Sequence, residues 1–318
     1  MLIWIIFISF IILFLALDLG VFNRKAHVIS SKEASVWTAV WVTLALSFSG
    51  VIFWLYQSGL IANPDQLTPQ NATLKYVTGY LVELSLSIDN IFVIALIFRA
   101  FNVPLKFQHR VLFWGILGAI VFRSLMILFG VMLIHRLEWI IYVFGAFLIF
   151  TAIKMAVEKE KEFDPRKSSV IRLVKRIMPV TSRIESQHFF VRKRHILAAT
   201  PLFVALIIIE LTDILFAVDS IPAILAITTD PFLVFSSNIL AILGLRSMYF
   251  FLANLIDRFI YLKYSLVVIL TYVGIKLILS HHIKFPEVLS LSVIAVSLLG
   301  GILYSVWRTR TKQPDAAE

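Results

Sequence analysis

Five carboxylates stand inside stretches that are otherwise apolar: Glu83 and Asp89 in one, and Glu210, Asp213 and Asp219 in another. An ionised side chain at the centre of a membrane helix costs about 3 kcal/mol on insertion scales, so such acids come with partners and a task. With Asn90, Ser220, Ser85, Ser87 and Thr212 they make an oxygen-only set. Oxygen donors suit hard divalent cations such as Mg2+, Ca2+ and Mn2+, whereas zinc and copper sites recruit thiolate or imidazole. The chain has no cysteine, and no histidine lies near these acids in the sequence. A plainer reading has the carboxyls protonated or ion-paired and pinning helix to helix, with Arg123, Arg246 and Lys276 as partners. Arg123 and Arg246 also suit counter-ions that hold an empty acidic site ready.

Spacing sets a geometric demand. Glu83 and Asp89 are six residues apart, as are Asp213 and Asp219, which places each pair about 120° apart around an unbroken helix. They converge if the helix opens. Pro222, three residues after Asp219, cannot donate to the Val218 carbonyl. A broken helix with a free carbonyl is therefore expected there, as at many transporter sites. Glu210 and Asp213 already share a face. The expected centre is the pair Asp89 and Asp219, completed by Glu83, Glu210, Asp213 and Asn90 and supported by Ser220.

The elements that must hold these residues are membrane helices. The chain of 318 residues is 60% hydrophobic and 15% charged, too few charges to cover a water-facing surface. A span takes about 20 apolar residues. Nine segments qualify: Leu2–Phe22, Val36–Tyr56, Leu74–Phe98, Val111–Ile134, Trp139–Val157, Ile196–Ile227, Phe232–Ala253, Tyr264–Ser280 and Val288–Trp307. The sixth is too long for one straight span. The first lacks a basic lead and a cleavage site and does not read as a removed signal.

Basic residues crowd alternate connections, above all 158–195, and the net charge is +10. The positive-inside rule then gives the N-terminus outside and the C-terminus inside. The 158–195 loop is expected to be cytoplasmic, with short amphipathic helices. Lys154 is expected to snorkel to that face, Asp18 to cap or pair at the inner end of the first helix, and His135, His281 and His282 to lie in outer loops. The tail after Trp307 reads as disordered.

An internal repeat organises the middle of the chain. Glu83–Phe92 (ELSLSIDNIF) matches Asp213–Pro222 (DILFAVDSIP). Arg123-Ser124 then matches Arg246-Ser247, and Ile153-Lys154 matches Ile275-Lys276. Three landmarks recur in order across helices 3–5 and 6–8. Units of three helices enter the membrane from opposite sides, which makes this an inverted-topology repeat with its site at the repeat interface. The resulting division is 1–73, two leading helices; 74–157, the first repeat; 158–195, the basic loop; 196–280, the second repeat; and 281–318, the last helix and tail.

No phosphate-binding GxxxxGK[ST] loop, zinc-protease HExxH or intramembrane aspartyl-protease signature is present, so no enzyme activity is expected. The stretches Glu83–Asn90 and Glu210–Ala223 resemble the two signature motifs of the TerC family. So do Asp18–His27, Ser31–Trp37 and Glu185–Arg192, and the likeness, closest to the bacterial Alx type, covers nearly the whole chain. It implies a multi-pass inner-membrane protein linked to manganese export, alkaline response and tellurite resistance. It also implies metal ligands at Glu83, Asp89, Asn90, Glu210, Asp213 and Asp219. Residue chemistry alone does not choose manganese over calcium, and an acidic site should repel a tellurium oxyanion. The expectation is an exporter of Mn2+ working by alternating access, with protons as the coupling ion. The alternative is a membrane partner that assists metal delivery to, or assembly of, exported proteins, with the basic loop as its working surface.

Overall fold

The computed structural model describes residues 2–17, 29–63, 65–137, 139–157, 172, 174, 176–181, 184, 187–193, 196–253, 262–280, 283 and 285–312. Asp18, His281, His282, most of 158–195 and residues 313–318 of the tail lie outside them. The described elements are α1 (Leu2–Leu17), α2 (Ser31–Gln57), α3 (Pro69–Ala100), α4 (Leu105–Arg136), α5 (Ile140–Val157), β1 (Phe190–Lys193), β2 (Ile196–Ala199), α6 (Pro201–Leu225), α7 (Pro231–Ala253), α8 (Leu262–Leu279) and α9 (Glu287–Lys312). Eight helices among the described residues are long and apolar enough to cross a membrane. The described part of α1 is apolar but has only 16 residues.

Local signals set the ends. Ser30 and Thr68 cap α2 and α3, accepting the N–H groups of Glu33 and Asn71. Asp230 caps α7: it accepts the N–H groups of Phe232 at 2.9 Å and Leu233 at 3.2 Å, and the Tyr56 hydroxyl at 2.7 Å. Burial pushes the Asp230 carboxyl up from its usual range, against the pull of these hydrogen bonds.

Two expectations change around α6. The sixth segment is not one long helix from Ile196, because Ile196–Ala199 pairs antiparallel with Phe190–Lys193. The helix starts at Pro201, whose ring disfavours helical backbone at Thr200 and suits the first helical position. At the other end α6 does not open at Pro222 but continues to Leu225. The missing donor at Pro222 is tolerated within the helix, so Asp213 and Asp219 stay on one continuous cylinder.

Packing reproduces the repeat. The main pairings in the middle of the chain are α3 with α7, α4 with α6, α3 with α6, α4 with α7 and α5 with α8. A twofold operation exchanging α3–α5 with α6–α8 turns the first pair into the second and the last three into themselves. Directions agree: Gly79 lies against Ile224 while Asn90 meets Asp213, so α3 and α6 run antiparallel. At the α5–α8 crossing, a Cβ on Gly145 would lie 3.0 Å from the Gly274 carbonyl oxygen, and one on Gly274 would lie 3.0 Å from that of Gly145. These glycines are 129 positions apart, close to the 130 separating Glu83 from Asp213 and Asp89 from Asp219. The Lys154–Lys276 match, at 122, is off this register by two helical turns.

α7 is the most enclosed span, and α3 is next. α2, α3 and α4 pack around α7, with α1 docked on its start through Trp4, Phe7, Phe232 and Phe235. Apolar side chains that would face water in a soluble protein here face outward from α1, α2, α4, α5 and α9.

A side chain at the glycine crossing has no room. Gly274→Val is expected to lower the stability of the detergent-purified protein by about 1–3 kcal/mol. Gly300→Ala, where a Cβ meets nothing within 4 Å, is expected to change it by under about 0.5 kcal/mol. Thermal unfolding followed by size-exclusion chromatography checks the contrast.

Candidate intramembrane cation site

α3, α4, α6 and α7 bring four predicted residues and one unforeseen one together near mid-span. Arg123 of α4 and Glu83 of α3, each 1% exposed, form an ion pair through Arg123 Nη1 and Glu83 Oε1. Arg123 also reaches Asp213 of α6, with Nη2 2.8 Å from Oδ1 and Nε 3.1 Å from Oδ2. Asn90 donates to Asp213 Oδ1 at 3.1 Å. Asn238 of α7 donates to Glu83 Oε2 at 2.8 Å. One guanidinium thus spans the two repeat-related carboxylates, and each carboxylate also accepts from one amide. Counted formally, two carboxylates face one cation.

Helical phase explains this choice. Asn90 follows Glu83 by seven residues and Ser220 follows Asp213 by seven, and two full turns return to nearly the same face. Asp89 and Asp219 are one residue earlier and point about 100° away. Asp89 and Asp219, the expected centre, therefore turn away from the group that Arg123 gathers, which contains Glu83 and Asp213. Asp219 turns to α5, where Thr151 donates to it at 3.0 Å and the charge of Lys154 acts on it. Asp89 feels the charge of Lys263 in the first turn of α8. Along its own helix each lies about 9 Å from the acid that Arg123 holds, and the contact of Asn90 with Asp213 sets Asp89 level with Asp213 on the neighbouring helix.

Glu210 lies one turn before Asp213. Its carboxyl rests in the gap left by Gly118 of α4, where a Cβ would come within 2.2 Å of both oxygens. Among the described residues, four buried side-chain polar atoms lack a hydrogen-bond partner: Asn90 Oδ1, Glu210 Oε2, Ser220 Oγ and Asn238 Oδ1. All are oxygens, and three belong to the predicted set. Between α3, α4, α6 and α7 a cavity of about 30 Å³, room for a water or two, touches Asn90, Thr212 and Asp213. This donor chemistry fits a hard cation. No group of three or more acidic, His or Cys side chains is gathered among the described residues, so the acids do not form a closed cage around a resident ion.

Two expected counter-ions sit elsewhere. Lys276 donates to Ser290 at 2.9 Å and to Glu287 Oε2 at 3.3 Å, in the first turn of α9, where Lys75 also approaches Glu287 at 3.8 Å. Its place on α8, two turns off the repeat register, puts it at the end of the bundle. Arg246 reaches His109 of α4, with Nη1 3.0 Å from Nε2. Asn238, Thr151 and Gly118 were missed. An amide in the polar run Ser236-Ser237-Asn238 inside an apolar segment was the available signal for the first. Only the fold reveals the other two.

Comparison with known proteins places the chain among membrane proteins. The description of the Integral membrane protein TerC family matches residues 68–313. An uncharacterized membrane protein of Myxococcus xanthus is 48% identical over 98% of this chain and 95% of its own length. A proposed membrane-bound redox modulator, Alx, of Escherichia coli K12 is 45% identical over 96% of this chain and 94% of its own. A membrane protein of Rickettsia bellii is 43% identical over 96% and 97%. No solved structure matches.

Asn238→Leu leaves Glu83 Oε2 without its amide donor and is expected to lower stability by about 1–3 kcal/mol. Ser87→Ala, whose hydroxyl is 3.5 Å from Glu83, is expected to lower it by under about 1 kcal/mol. Thermal unfolding of the two purified variants against the native chain measures both.

Proposed function

Because this chain belongs to the TerC family of integral membrane proteins, we propose that it moves a hard divalent cation, Mn2+ above others, across the membrane through the Glu83–Asp213 site. The observation that carries this reading is the pair of buried, partnerless oxygens of Asn90 and Asn238, whose amides bond the two carboxylates that share a single guanidinium. A folded protein seldom leaves buried polar atoms unpaired without a use for them. The oxygen chemistry selects the class of ion. The choice of Mn2+ within that class rests on the resemblance of the signature motifs.

The route follows the inverted repeat. Exchange of the two repeats about the α3–α6 and α5–α8 crossings opens one face and closes the other. The basic connections after α3 and before α6 support a cytoplasmic C-terminal end of α3, with the N-terminus outside and transport directed outward through the inner membrane. Carboxylates that bind metal also release protons, which supports proton flow as the counter-movement. The redox role in the name of the E. coli relative has no thiol route in this chain, which contains no cysteine.

Total cell manganese tests the reading under manganese load, in a host stripped of its own exporters. The native chain is expected to lower it. Glu83→Gln and Asp213→Asn, delivered to the membrane in equal amount, are expected to leave it at the empty-vector level. Equal lowering by all three would remove the site, and failure of the native chain would remove manganese export. Collapsing the pH gradient is expected to slow export, and unchanged flux would discard the proton.

A further inference from the structure

The reading above gives the cation a site that is already occupied by a positive group. Three donors of Arg123, Nη1, Nη2 and Nε, point at Glu83 and Asp213. The guanidinium centre stands where a divalent ion shared by the two carboxylates would sit. Two positive centres cannot share that place: at a few ångströms in a medium of low polarity, their repulsion is large. We propose that Arg123 is a tethered competitor for the cation, its guanidinium and the metal holding the Glu83–Asp213 carboxylates in turn. This rests on the cation-site reading and adds to it what sets the affinity.

The surroundings are built for such an exchange. The two acids stay positioned when the guanidinium leaves, because Asn90 and Asn238 hold them independently. Those amides keep a free carbonyl oxygen each, Asn90 Oδ1 and Asn238 Oδ1, which a metal can use and an arginine cannot. The cavity of about 30 Å³ against Asn90 and Asp213 gives the incoming ion room.

Arg123 also has somewhere to go. Glu210 lies three residues before Asp213 on the same face of α6, and Asp213 is already held by Arg123. Gly118 presents no side chain, and the space it leaves holds the Glu210 carboxyl, whose Oε2 has no partner. Glu210 is thus a further carboxylate, one turn along α6 from one that Arg123 already holds. Arg123 passes from the Glu83–Asp213 pair to Glu210 as the metal enters, and returns as it leaves.

The sign of one measurement separates this role from a packing role. If Arg123 only shapes the site, its removal loosens the acids and weakens metal binding. If it competes, its removal strengthens binding. The test is Mn2+ titration of the purified full chain by calorimetry at fixed pH, for the native protein, Arg123→Gln, Arg123→Lys and Glu210→Gln, and for Arg123→Gln combined with Glu210→Gln.

Arg123→Gln is expected to bind Mn2+ about tenfold tighter or more than the native chain, since the fraction of competent site rises. Arg123→Lys keeps the charge but loses the planar fork and is expected to fall between them, which preserves the test should the glutamine variant not fold. Glu210→Gln removes the second seat. It is expected to weaken binding severalfold in the Arg123 background and to change nothing in the Arg123→Gln background.

Weaker or equal binding by folded Arg123→Gln or Arg123→Lys overturns the competitor. Equal weakening by Glu210→Gln in both backgrounds overturns the second seat and makes Glu210 a direct ligand. Absence of Mn2+ binding in every variant, the native chain included, instead defeats the cation site itself.

Discussion

A guanidinium held between two carboxylates at the centre of an apolar bundle is the contact around which the other elements are arranged. Taking three charged groups out of water costs several kcal/mol per ion even after relaxation, and the cost is recovered only when geometry and extra hydrogen bonds are nearly complete. That condition explains the enclosure. α3 and α6 supply the acids, α4 the cation, and α7 the amide that finishes Glu83. The outer helices α1, α2, α5 and α9 present apolar faces outward, which keeps this group away from both water and lipid.

The inverted repeat supplies equivalent acids but not equivalent partners. Glu83 and Asp213 correspond at a separation of 130 positions, yet both are served by the arginine of α4, while α7 offers an amide and turns its own arginine toward His109. A perfectly symmetric arrangement would give the two open states equal energy. In the proposed transport cycle, placing the cation on only one of the two related helices would make them unequal and give the chain a preferred resting face for a bound ion to reverse. An ion changes such a balance only by the difference in its affinity for the two states.

Much of this was legible in the residues. Membrane helices followed from the density of apolar residues, and the repeat followed from acid spacing and from the odd number of helices per unit. The pair that shares Arg123 differs from the expected centre because of helical phase. The sequence motif draws the eye to the aspartates before Asn90 and Ser220, but it is a spacing of seven, not six, that returns to the same face of an unbroken helix. The reading had relied on Pro222 to open α6, whereas the helix runs past it. The short hairpin before α6 was hidden because Ile196–Ala199 is as apolar as the span that follows. Lys276 suits a counter-ion by its charge inside an apolar segment, whereas the fold pairs it with Glu287 and Ser290.

α7 carries a last consequence, for how the protein is made. It is the least apolar of the eight spans and the most enclosed, with Ser236, Ser237, Asn238, Arg246 and Ser247 all buried. Such a segment gains little by entering lipid alone, since each of its polar groups would meet hydrocarbon. Its partition into the bilayer depends on the neighbours that satisfy those groups, and α2, α3 and α4 all precede it on the chain. Synthesis therefore delivers the walls before the centre, and a ribosome that has reached Ala253 has already released every helix α7 needs. A mutation that weakens the grip of α3 or α4 on α7 would then act first at the translocon, as a failure of topology, before any defect in the finished protein could be measured.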